Sequence, residues 1–223
     1  MFDLTGRADS WAVTTPREAV MGKVLGLLGV AALCTGAGAL IGPRLGPGAF
    51  IISLVGSIAT LLILMFVARE KTPLNLWLMY AFATFEGMAL GLILDGYLAR
   101  GMSGVVLNAA ATTGAVTLAA GAYGATTKRD LSGMGPLLFI GLIAVLVASI
   151  VGLFLQMPLL QLVIAAATAL LFTGFLVFDL NRVANAVAVT GGGVILLAVS
   201  VYLDIFNLFL ALLQIFGFFG SED

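Results

Sequence analysis

Histidine is absent from this chain. Imidazole metal sites, serine–histidine catalysis and a histidine proton switch are therefore excluded together. The single cysteine, Cys34, stands in an apolar stretch, so no internal disulfide can form and cysteine usage says nothing about the redox compartment. Charge is scarce too. Only 9% of the 223 residues are Asp, Glu, Lys or Arg, against 61% hydrophobic, and the mean hydropathy is +1.18. A water-soluble domain of this size cannot cover so much apolar surface, so the bilayer must be the solvent. The polar opening, Met1 to Glu18, lacks the early apolar core of a cleaved signal peptide. No phosphate-cradling loop, cofactor motif or nucleic-acid patch is present: Gly36, Gly38 and Gly42 lie within or at the end of an apolar run and miss the dinucleotide spacing. Neither a cofactor nor a nucleic-acid partner is expected.

What the chain does have is a succession of apolar runs long enough to span a membrane, separated by short breaks with turn chemistry. Seven are expected: Val20–Ile41, Ala49–Ala68, Leu74–Leu94, Val105–Tyr123, Pro136–Leu155, Leu159–Phe178 with its helix continuing past Asp179, and Val194–Gly217. The break at Met157-Pro158 carries no charge, but Pro136 to Phe178 is long enough to require two spans. The expected organisation is a cytoplasmic N-terminal segment over 1–19, an all-α seven-helix membrane domain over 20–217, and a short tail over 218–223.

Basic residues set the orientation. With the N-terminus in the cytoplasm, the inner segments hold Arg7, Arg17, Lys23, Arg69, Lys71, Lys128, Arg129 and Arg182, whereas the outer ones hold only Arg44 and Arg100. This bias predicts a cytoplasmic N-terminus and an external C-terminus. The short soluble segments suit a bacterial inner membrane. Small residues crowd the spans, and Gly87-Met-Ala-Leu-Gly91 has the spacing that lets helices approach closely. Packing within one bundle or a homo-oligomer interface would both use it.

Three carboxylates stand inside apolar runs: Glu86 in the third span, Asp179 at the end of the sixth and Asp204 in the seventh. A charge in hydrocarbon costs about 2.5–3.5 kcal/mol even on insertion scales, so each acid should face a partner or a watery cavity. Asp179 lies 12 residues before Gly191, and Asp204 lies 11 residues after Gly193. If the triple glycine Gly191-Gly192-Gly193 is the turn, antiparallel helices carry both acids to one depth, about 16 Å of helix from that turn. Two carboxylates so placed cannot both ionise cheaply, so they titrate as a coupled pair and can sense pH without histidine. When ionised, they offer hard oxygen ligands for Ca²⁺ or for an arginine. Arg182, three residues beyond Asp179, and Arg69, at the inner end of the second span, are the candidate counter-charges. Asn207, three residues beyond Asp204, can orient that carboxylate or hydrogen-bond a neighbouring helix.

These residues carry a resemblance. Phe178-Asp179-Leu-Asn-Arg182, Tyr202-Leu-Asp204-Ile-Phe-Asn207, and Phe85-Glu86-Gly87-Met-Ala-Leu-Gly91 resemble the Bax inhibitor-1 (transmembrane Bax inhibitor motif) family. The resemblance implies six helices surrounding a central seventh. It also implies a pH-sensitive calcium leak gated by the Asp179/Asp204 pair, with an arginine latch for which Arg69 is the nearest equivalent. Glu86 and Asn207 would support the ion pathway, with calcium ions and protons as the species handled.

Three other activities use similar residues. A membrane-embedded regulator would bind a membrane protease or channel, and a proton/cation exchanger would load the same carboxylates alternately. Intramembrane aspartyl proteolysis needs Gly-x-Gly-Asp and Pro-Ala-Leu motifs that this chain lacks, so no enzyme is expected.

Overall fold

A computed structural model of the chain describes residues 17–66, 72–186, 189 and 191–220. Among the described residues there are seven α-helices: α1 (Arg17–Ile41), α2 (Ala49–Phe66), α3 (Thr72–Ala99), α4 (Ser103–Thr126), α5 (Met134–Leu155), α6 (Pro158–Asn185) and α7 (Gly191–Phe219). No strand occurs among the described residues. All seven are long and apolar enough to cross a membrane. The shortest, α2, has 18 residues and so reaches about 27 Å at 1.5 Å per residue. Helix is the conformation hydrocarbon demands, because it satisfies every internal N–H and C=O within the segment. Five hydroxyls obey the same rule: Ser53, Thr84, Thr113, Thr168 and Thr173 each donate to the carbonyl four residues back.

The breaks fall where the turn chemistry lies. Gly42–Gly48 forms short 3-10 turns kinked at Gly46, whose φ of 75° suits only glycine comfortably. The charge-free break between the fifth and sixth spans is only two residues long. Gln156 closes α5 in the left-handed conformation, and Pro158 opens α6 where its missing N–H costs nothing.

The triple glycine differs from expectation. The chain leaves α6 at Asn185 and enters α7 at Gly191, so the three glycines form the first turn of α7 rather than the connection itself. Glycine's low helix propensity marks a weak place in a helix but does not say which side of it the chain turns.

Helix α7 is the inner element. Half of its most apolar window is buried by protein, against 11–39% for the other helices. It packs on α1, α3, α4 and α6, while α2 packs chiefly on α3 and α5 on α6. Phe82, Leu176, Val201, Leu208 and Leu213 are among the side chains this arrangement buries.

The α1–α3 contact is the most extensive, and glycine makes it possible. A Cβ on Gly87 would run into the Thr35 carbonyl, and one on Gly91 into the Ala39 carbonyl. From the other side, Gly38 and Gly42 approach the carbonyls of Thr84 and Met88. The small-residue spacing in the third span thus serves packing inside one bundle.

Candidate functional site

On α6, the buried residues Phe172, Leu176, Asp179, Leu180 and Val183 recur every three or four positions. Asp179 therefore belongs to the helix face turned toward α7. Asp204 faces back from α7. Both acids are buried, at 5% and 4% exposure, and their carboxylates lie within hydrogen-bonding reach of one another. Their distances from the helix ends are unequal. Asp179 is six residues before Asn185, whereas Asp204 is thirteen after Gly191. The difference is about 10 Å of helix, and Ala186, just past the end of α6, is already extended.

Arg182 completes the cluster. Its Nη1 donates to Asp179 Oδ1 at 2.8 Å, and its side chain remains 51% exposed while that of Asp179 is 7% exposed. The guanidinium also lies 5.6 Å from the centre of the Phe178 ring. Ser200, one helical turn before Asp204, is within hydrogen-bonding reach of Asp179 as well. Asp204 is less well served: its Oδ2 is buried with no hydrogen-bond partner among the described residues.

Above this cluster opens a crevice of about 1000 Å³, bounded by the α4–α5 connection, the end of α6 and the start of α7. Arg182 and Ser200, both neighbours of Asp179, lie in its lining, so the crevice reaches the residues beside Asp179, while the two aspartates themselves do not line it.

The other expected site residues lie apart. Glu86 is half-buried on α3, facing Ser57 of α2 and near Tyr202, and is not among the groups acting on the aspartates. The Asn207 amide donates to the Leu203 carbonyl of its own helix at 2.8 Å. Arg69 lies outside the described residues.

Three participants in this region escaped sequence reasoning. Ser200 is one. Asn181 is another: its side chain donates across to the Gly124 carbonyl on α4 at 2.7 Å, at a point where a Cβ on Gly124 would come 2.9 Å from the Val177 carbonyl. The third is Tyr202, whose hydroxyl lies 2.8 Å from Thr35 Oγ1 on α1. Thr35 already spends its proton on the Ala31 carbonyl, so Tyr202 is the donor. Its ring packs edge-on against Phe82 and stacks on Phe206. A phenol within an apolar run must find a partner, which marks Tyr202 in the sequence without saying where the partner is.

What the cluster does in this structure is pair Asp179 with Arg182. Two carboxylates and the Ser200 hydroxyl fall short of the six to eight oxygens that Ca²⁺ takes, and Arg182 competes for one of them.

A family model described as "Inhibitor of apoptosis-promoting Bax1" matches residues 17–221. The chain is similar to an uncharacterized protein of Helicobacter pylori, 37% identical over 169 residues, 76% of this chain and 72% of that protein. It is likewise similar to the "Modulator of FtsH protease YccA" of Escherichia coli, 35% identical over 179 residues, 79% and 78% of the two chains. An uncharacterized membrane protein of Vibrio cholerae is 36% identical over 177 residues, 78% of each chain.

Proposed function

The chain belongs to the family of the inhibitor of apoptosis-promoting Bax1, and on that premise we propose that it is a membrane-embedded modulator of a membrane-bound protease. The observation that carries this reading is the similarity, over 79% of the chain, to a protein named for modulating FtsH. An Escherichia coli relative is also named an inner membrane protein, which favours the same location here. Modulation requires no catalytic group of this chain; it requires a protein face in the bilayer and a state that can change. The buried cluster supplies the second. Removing the charge of Asp179 releases Arg182 of its own helix and changes what the same carboxyl offers Ser200 and Asp204 of α7. The test is co-reconstitution with the FtsH protease and measurement of its turnover of a membrane substrate. The modulator reading expects a change of at least about twofold with the wild-type chain and a smaller one with Asp204→Asn.

One observation favours a second reading, a pH-sensitive calcium leak. Arg182, bonded to the buried Asp179, lines a crevice at the ends of α4, α6 and α7. Protonation would break the hold on Arg182 and unload any cation. Calcium flux into proteoliposomes across pH 5–8 tests it: wild type and Asp204→Asn should give different curves, and identical curves would remove the sensor. A flux requiring a counter-moving proton would instead identify an exchanger.

A further inference from the structure

The crevice over the carboxylate pair is divided by chemistry. Three cations line it, Lys128 and Arg129 from the α4–α5 connection and Arg182 from α6, while Leu196 and Leu197 of α7 present an apolar wall. Lys128 and Arg129 form no ion pair with the described residues. Arg182 spends only one of its five N–H donors on Asp179. The crevice sits at the ends of three apolar spans, α4, α6 and α7, the level at which lipid headgroups lie.

We propose that this crevice binds the phosphodiester of an anionic phospholipid, held by Lys128, Arg129 and Arg182, with the glycerol region against Leu196 and Leu197. Guanidinium forks match phosphate oxygens, and basic pockets between membrane helices suit anionic headgroups. One acid lies on the rim. Asp130 Oδ1 accepts the Ser132 N–H at 2.9 Å, and this bond holds its carboxyl below the usual range, so it stays ionised at neutral pH. Asp179 offsets Arg182, and Lys128 and Arg129 against Asp130 leave the crevice positive by one charge. Asp179 meets Arg182 from below, so a bound phosphate shares the guanidinium with it. Headgroup occupancy therefore loosens the hold on Asp179 and connects leaflet composition to the buried pair. This binding does not depend on the modulator reading and can fail or succeed separately from it.

The full chain, reconstituted in phosphatidylcholine nanodiscs, is titrated with phosphatidylglycerol, and the lipid retained is counted by native mass spectrometry. Wild type is expected to retain one phosphatidylglycerol at least about tenfold more tightly than phosphatidylcholine. Lys128→Gln/Arg129→Gln, at two exposed positions, should lose that preference while keeping its unfolding midpoint in phosphatidylcholine. Asp130→Asn should strengthen retention, because it removes the rim carboxylate. Equal retention of the two lipids by wild type, or an unchanged preference in the double variant, would overturn the proposal. So would displacement of phosphatidylglycerol by millimolar inorganic phosphate, which would assign the site to the free ion.

Discussion

Asp179 carries the tension of the site in one side chain. It is almost wholly buried, yet its partner Arg182 is half in solvent, so the pair is neither a screened surface bridge nor a fully desolvated one. Breaking a buried pair from one side costs about 3–5 kcal/mol because a charge is left stranded. With Arg182 half-exposed, Arg182→Ala should cost about 2 kcal/mol, measured as a shift in the unfolding free energy in mild detergent. Asp179→Asn should recover most of that loss in the double variant; additive losses would show that the two side chains do not act on each other. Tyr202→Phe should cost only about 1 kcal/mol, since Thr35 keeps its bond to Ala31 and no buried donor is orphaned. The aspartates are legible in the sequence because a charge stands out in an apolar run. Their neighbours are not: nothing in one chain states that Asn181 reaches Gly124 or that Ser200 turns toward Asp179.

Among the helices, glycine position separates contact from mere composition. Gly87 and Gly91 meet backbone on α1, whereas a methyl added at Gly26 or Gly29 would have nothing within 4 Å. Gly87→Ala must push α1 and α3 apart and is expected to lower stability by about 1–3 kcal/mol. Gly26→Ala should be neutral or slightly stabilising, as alanine is the better helix former. Equal effects in a thermal unfolding comparison would contradict the packing described here. The spacing of Gly87 and Gly91 announces a close approach, but not which helix approaches. The triple glycine misleads for a related reason: its composition suggests the connection, yet it is the first turn of α7, so equal counts along the chain do not mean equal positions in the helices.

Over the whole molecule, the seven spans and their order follow from hydropathy and breakers alone, because hydrocarbon leaves the backbone few alternatives. An odd number of crossings puts the two ends on opposite sides. The bias of eight basic residues against two predicts that alkaline phosphatase fused after Asp223 is active outside the cell membrane and that a fusion before Met1 is not. The reverse pattern would invert the chain and place the crevice over α6 and α7 on the outer face. The function follows least directly from the sequence, since the same buried pair would suit a modulator or a leak. Co-reconstitution with the FtsH protease separates them most directly. If this chain is a modulator, wild type shifts turnover of a membrane substrate by at least about twofold at equimolar ratio, and Asp204→Asn shifts it less. Turnover that is the same with and without the wild-type chain would contradict the account.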